Sequence, residues 1–482
     1  MYEVPDFLTR GEVARLIPAV KDSMLEDRAT SIVLAGIMSV RSFAKALLEP
    51  LGTRVGKLAH PACYTQIVFR NLPGSIQHRP DGLIDIQSGN RHWRAIVEGK
   101  IGRSELDDAQ IRDYLQIAKL NGIDAVITVS NQFAPLPTHH PVRLHGPVPK
   151  TVSLYHWSWM HIVTTAILLL QDEGFENPDQ RYVLSEIVRY LQHPSSGVSG
   201  FDQMNVEWRD LVKSVQTGAP LARDSEPVLN TVAAWHQEIR DLCLIMSRAL
   251  GREVRLRLTR AQRADPSVWI REDGAALSAS HNLLATVEVP NAAAPIEVVA
   301  DLRRRALICT MRLDAPADRK GATARTNWLL RQLREARRDD IVINAIWPGR
   351  SSNTQAGLID LFEDPKRLEA GKDKGAPVAF EVVMVKDLAG RFSGRRTFIE
   401  DVEAIVPEFY KEVGEHLRAW VPPPPKYDAK RVEPGRPSAD VDQAPARTAH
   451  SAPALPSVML LPPPEAQGNE KGAPVPVPTL TP

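Results

Sequence analysis

The stretch RPDGLIDIQSGNRHWRAIVEGK, Arg79 to Lys100, constrains what this chain can fold into more than any other. DGLIDIQ and HWRAIVEGK are rich in β-branched, large apolar and aromatic residues and read as strands, and the SGN at 88–90 is a turn signal. Two strands so joined form a hairpin. Side chains alternate along a strand, so Asp81, Leu83 and Asp85 share one face, and Glu98 and Lys100 share a face of the partner strand. The hairpin therefore brings Asp81 toward Glu98 and Lys100. The AIV directly before Glu98 marks a buried strand, where an unneutralised acid is costly.

The flanking segments extend the pattern. DRATSIVLAGIMSVRSFAKALLEPLG from Asp27 reads as one long helix, with Ile32, Leu34, Ile37, Phe43 and Leu47 available for burial. YTQIVFR from Tyr64 is a strand. LDDAQIRDYLQIAKLNG from Leu106 is a helix closed by Gly122, with Asp107 or Asp108 near its positive end. DAVITVS from Asp124 is a fourth strand. The order is helix, three strands, helix, strand. Two carboxylates at adjacent strand positions repel each other unless a cation neutralises them. Oxygen ligands suit Mg²⁺ (or Mn²⁺), and Mg²⁺ usually keeps several waters and takes further ligands from a phosphate. A lysine beside such an ion can lower the pKa of a water or orient it, the layout of metal-assisted phosphodiester hydrolysis.

This set of motifs resembles the PD-(D/E)xK nuclease superfamily, with its restriction-endonuclease-like fold. RPDG supplies the PD at Pro80–Asp81, and VEGK supplies the ExK at Glu98–Lys100, seventeen positions on. Gln110 and Tyr114 in QIRDY stand at i and i+4 on one helix face and match the QxxxY element of the exonuclease-related branch. The resemblance covers residues 20–135. It implies an α/β restriction-endonuclease-like αβββαβ core and a Mg²⁺-dependent nuclease. Asp81 and Glu98 would hold the metal, Lys100 would activate water, and Gln110 and Tyr114 would orient substrate. It also implies an acid from the first helix, for which Glu26 is the candidate and Glu49 the weaker one. The implied partner is nucleic acid, DNA before RNA, in a defence or repair role. The rival is a catalytically silent module of the same fold that binds nucleic acid or serves as a scaffold.

Plainer readings stand beside these. Glu98 and Lys100 could form an exposed ion pair, worth under about 1 kcal/mol. Asp85 ranks behind Asp81, as a solvent-facing group or a hydrogen-bond acceptor near the turn. Tyr114 could be ordinary packing, and Glu26 a helix N-terminal acid.

The remaining chain divides into a helical region, 151–251, and an α+β region, 252–420. The second opens with strand-like runs EVRLRLT, SVWIRED, LLATVEV, IEVVADL and ALICTMRL. A helix ARTNWLLRQLREA, strands IVINAIW and AFEVVMV, and a closing helix from Arg396 follow. With residues 1–150 as the nuclease-like domain, 252–420 is a separate accessory domain. The net charge of +1 gives no overall attraction to nucleic acid or membrane, so any basic surface must arise by segregation. Arg325, Arg331, Arg334 and Arg338 would grip phosphates if they share a surface. Pairing through Glu335 and Asp339 is the equal alternative. His139, His140 and His145 read as a surface loop, and YHWSWMH from Tyr155 as a strand-to-helix packing corner. Three scattered cysteines without a CxxC pair suggest neither a zinc cluster nor a disulfide framework, in keeping with a reducing cytoplasm. The N-terminus lacks a signal-peptide pattern, and AILLLQDE is too short to span a membrane.

From Val421 to Pro482 the chain holds sixteen of its 39 prolines and few large apolar residues, which reads as a disordered tail, with a ligand for a proline-binding protein as the alternative. Truncation after Trp420 is expected to leave the melting temperature unchanged, because almost no core-forming residue is lost. A large drop on thermal unfolding would show that the tail packs onto the body.

Overall fold

In the computed structural model, residues 4–21, 23–72, 79–142, 144–146, 148–336, 338–372 and 375–422 are described. Beyond Pro422 the proline-rich tail lies outside the described residues. The fold is mixed α/β with two sheets.

The first sheet has six strands in sequential order: β1 (Leu8–Val13), β2 (His60–Phe69), β3 (Gly82–Ser88), β4 (Arg91–Gly99), β5 (Ala125–Ser130) and β6 (Ser153–Ser158). β1 to β4 pair antiparallel, while β5 and β6 add in parallel. Helices α1 (Leu25–Ser39), α2 (Arg41–Leu48), α3 (Asp108–Leu120), α4 (Trp159–Gln171) and α5 (Pro178–Gln192) cover it. Alternation along the strands sorts the two faces. Ile84, Ile86, Ala95, Val97 and Ile127 pack with α1, α2, α4 and α5. Leu83, Ile96 and Val126 pack with Ile111, Tyr114 and Leu115 of α3. A sheet buried on both faces needs apolar residues at nearly every position, which is why β3 and β4 read as such dense strands.

From α1 to β5 the order is two helices, three strands, helix, strand, and the hairpin runs in register from Gly82 opposite Val97 to Ser88 opposite Arg91. Three features differ from the sequence reading. The single helix expected from Asp27 is broken: Val40 is extended, and α1 and α2 are bent by 110°. Val40 is fully buried, so the core takes its side chain at the break. The sheet also gains β1 and β6 as its two edges. Finally, SVWIRED is helical, inside Pro266–Ser280, because Asp265 caps that helix through the Ser267 N–H and Pro266 occupies its first turn.

Two helices, α6 (Trp208–Gln216) and α7 (Glu226–Leu250), lead into the second sheet. Its strands are β7 (Arg255–Leu256), β8 (Asn282–Glu288), β9 (Ile296–Asp301), β10 (Ala306–Asp314), β11 (Ile341–Ile346), β12 (Thr354–Gly357) and β13 (Ala379–Asp387). They pair antiparallel in the order β12-β11-β13-β10-β9-β8-β7. Trp208, Trp235, Phe392 and Phe398 cluster in the core beside this sheet. α7 packs against α4 on one side and against β7, β8 and the helix Arg395–Phe409 on others. Of the arginines singled out above, Arg338 pairs with Asp340 and Glu408, and Arg334 with Glu335.

The three cysteines are buried and free. Among the described residues no single helix is long and apolar enough to cross a membrane. The bent pair α1–α2 passes that test by length and composition only, and much of it is buried against the sheet.

Candidate active site

The strand ends of the hairpin, the N-terminus of α1 and the first turn of α3 meet at one place. Asp81 stands immediately before β3, and its Oδ2 accepts a hydrogen bond from the Gly99 N–H at 2.7 Å. Glu98, on β4, is 2% exposed. Its Oε1 accepts from Lys100 Nζ at 2.6 Å and from Gln110 Nε2 at 2.8 Å. Its Oε2 is buried without a hydrogen-bond partner. A buried carboxylate oxygen without a donor is costly, so this atom asks for a proton or a cation.

Local structure explains why these groups converge. Asp107 caps α3 by accepting from the Gln110 N–H at 2.9 Å, which fixes Gln110 in the first turn. Gln110 Nε2 then reaches both Glu98 and the Tyr114 hydroxyl, the latter at 2.8 Å. Tyr114 is fully buried, and its hydroxyl lies 3.2 Å from the Arg79 carbonyl. Glu26 sits in the first turn of α1, where its Oε1 accepts from the Ile101 N–H at 3.2 Å. The Lys100 carbonyl accepts from Trp159 Nε1 at 2.8 Å, and its N–H donates to the Val129 carbonyl at 2.7 Å. Asp81, Glu98, Lys100, Gln110, Tyr114 and Glu26 are thus brought together. Asp85 is not part of this group: it pairs with His92 Nδ1 at 2.8 Å and Arg94 Nε at 3.1 Å, toward the turn end of the hairpin. Glu49 is exposed in a turn after α2.

Burial and then the neighbouring Glu98 hold the Asp81 carboxyl well above the usual range. Burial also raises Glu98, against the pull of Lys100 and of the Tyr114 hydroxyl. For Lys100, burial works to lower the pKa, but the charge and hydrogen bond of Glu98 outweigh it, and the net shift is upward. Lys100 is therefore an ammonium at neutral pH, a donor and not a base. The Tyr114 hydroxyl is raised by burial and by Glu98, so it stays protonated.

An acid whose folded pKa is raised holds its proton more tightly folded than unfolded. Its stabilising contribution is full below the ordinary value of 3.8 for Asp81 and is lost as pH rises through the folded value. Asp81→Asn, in protein freed of divalent ions, is thus expected to melt higher than wild type at pH 8, the gain shrinking as pH falls toward 4. Thermal unfolding at the two pH values checks this; an equal gain at both would contradict it.

Three features of the site were missed in the sequence. Asp27 is adjacent to Glu26, accepts from Gln66 Nε2 at 3.0 Å, and is raised by burial and by Glu26; the ED pair opening α1 was the available signal. Gly99 is the second: a Cβ there would lie 2.6 Å from Thr30 Oγ1 and 3.5 Å from the Trp159 ring. The third is a chain of polar groups beside Glu98. Thr128 faces Glu98 in the β4–β5 register, and His156 faces Thr128 in β5–β6. The Thr128 hydroxyl lies 2.8 Å from His140 Nε2 and 2.9 Å from His156 Nδ1. Burial lowers His140 to about 4 and His156 to about 3, so both are neutral. The surface-loop reading of the histidines therefore holds for His145 alone. His139 is 3% exposed and bonded to the Arg263 carbonyl, and His140 belongs to this chain of groups. The expected strand-to-helix corner is present, with Ser158 ending β6 and capping α4 through the His161 N–H.

The donor set is all oxygen, which suits Mg²⁺ or Mn²⁺ over zinc. Glu98 Oε2, without a donor, and the Asp81 carboxyl beside the Gly99 peptide fit such an ion. Among the described residues no group of three His, Cys, Asp or Glu side chains is arranged to hold a metal. Comparison with family models, curated proteins and solved structures finds no match for this chain.

Proposed function

We propose that this chain is a divalent-metal-dependent nuclease of the PD-(D/E)xK type, acting on DNA, with its restriction-endonuclease-like core running from α1 to β5. The observation that carries the reading is the Asp81–Glu98–Lys100 cluster. Asp81 stands just before β3 with its carboxyl on the Gly99 N–H next to Glu98, Lys100 Nζ lies 2.6 Å from one Glu98 oxygen, and the other Glu98 oxygen has no hydrogen-bond partner. The element order and hairpin register support it further.

Asp81 and Glu98 would hold Mg²⁺ or Mn²⁺, with Glu26 at the edge of the set. When bound, the ion would supply a Lewis acid and a water of lowered pKa. The chain's own residues supply positioning and charge. The Gly99 N–H fixes Asp81. Gln110 and Tyr114 fix Glu98, a role closer to the geometry than direct contact with substrate. The Lys100 ammonium would orient a water or stabilise charge growing on a phosphate.

A second reading is favoured by the absence, among the described residues, of a three-side-chain metal group. In it, the same fold binds nucleic acid without cutting it. The experiment is a panel of linear, circular and single-stranded DNA incubated with purified protein and Mg²⁺ or Mn²⁺. Cleavage that stops with chelator is expected. Intact DNA across the panel, with no heat of Mn²⁺ binding in calorimetry, would favour the silent module.

A further inference from the structure

Arg240 lies within α7, is 9% exposed, and among the described residues makes no ion pair. The two acids nearest it in charge are engaged elsewhere. Asp241 accepts from the Phe201 N–H at 2.7 Å, and Glu253 pairs with Arg255 at 2.7 Å. The hydrogen-bond partner of Arg240 is His161 Nδ1 on α4, 3.4 Å from Nη2. Since Nδ1 accepts that bond, the imidazole proton sits on Nε2, which is buried without an acceptor. Arg240 therefore bonds only a neutral imidazole, and the one buried donor of the pair without an acceptor is His161 Nε2.

Both line a cavity of about 490 Å³ between α4, α7 and β7, whose walls include Leu136, Leu168, Leu244 and Val254. That volume falls in the range of about 300–1,000 Å³ typical of small-molecule sites. Of the other polar groups of the wall, Thr164 Oγ1 accepts from Arg248 at 2.7 Å, the Ser247 hydroxyl donates to the Cys243 carbonyl at 2.6 Å, Glu253 pairs with Arg255, and Arg263 adds a further cation. Glu253, itself in the cavity wall, and Asp241 attract Arg240 without bonding to it, and a buried guanidinium that makes no ion pair keeps hydrogen-bonding capacity for an anion.

We propose that this cavity binds an organic anion, its carboxylate or phosphate monoester head on Arg240 and its apolar body along the leucine wall. The probes are octanoate and phenyl phosphate, with octanol and phenol as neutral counterparts, titrated into the full-length protein by calorimetry. At least one anion is expected to bind and neither neutral probe. The anion that binds identifies the head group. Arg240→Met is expected to weaken that binding by about 10- to 100-fold and, without ligand, to melt no lower than wild type, since it removes an unpaired buried charge. The proposal is overturned if neither anion binds, if Arg240→Met binds as wild type does, or if Arg240→Met unfolds the protein, which would make the arginine structural.

Discussion

Lys100→Ala is expected to fold, to bind DNA as wild type does, and to lose turnover by about 10²–10³-fold. Lys100 touches Glu98 Oε1 at 2.6 Å, and its side chain is 15% exposed. An exposed pair would change little on truncation. Here the variant leaves Glu98 with Gln110 as its hydrogen-bond donor, in a buried position where the carboxylate is already disfavoured. Asp81→Ala should differ in kind, because it removes a ligand charge and so weakens Mn²⁺ affinity together with rate. Turnover at saturating Mg²⁺ and Mn²⁺ titration by calorimetry separate the two. Equal turnover for Lys100→Ala and wild type would remove the lysine from the mechanism and leave the fold untouched.

Gly99→Val is expected to cost about 1–3 kcal/mol of stability and to abolish cleavage. The cost is steric: the first added carbon would lie 2.6 Å from Thr30 Oγ1, with the Asp81 carboxyl at 3.4 Å and Trp159 at 3.5 Å. Displacing this peptide also moves the N–H that holds Asp81. Chemical denaturation and a cleavage assay on the same preparation check both halves. A variant as stable and as active as wild type would show that the crowding relaxes without effect.

The hairpin was legible in the sequence because period-two alternation, a turn signal and a three-motif order all point one way. What escaped reading depends on tertiary context. The apolar spacing from Asp27 continues through Val40, so nothing local marks the break that the core imposes there. SVWIRED reads as a strand because Val268, Trp269 and Ile270 are β-formers in a row, and the overlooked cue lay just before it, in Asp265 as cap and Pro266 in the first turn. Thr128 joins His140 and His156 only once β4, β5 and β6 stand side by side, since the two histidines are 12 and 28 positions from it. Arg240 and His161, 79 positions apart, meet only through the packing of α4 on α7.

The nicking rate of a supercoiled plasmid with Mg²⁺, compared among wild type, Asp81→Ala and Asp85→Ala, tests the central claim most directly. Asp85 shares the strand face of Asp81 but is paired with His92 and Arg94 away from Glu98. Cleavage by wild type and Asp85→Ala and none by Asp81→Ala is the predicted result. Nicking by Asp81→Ala at the wild-type rate would contradict it.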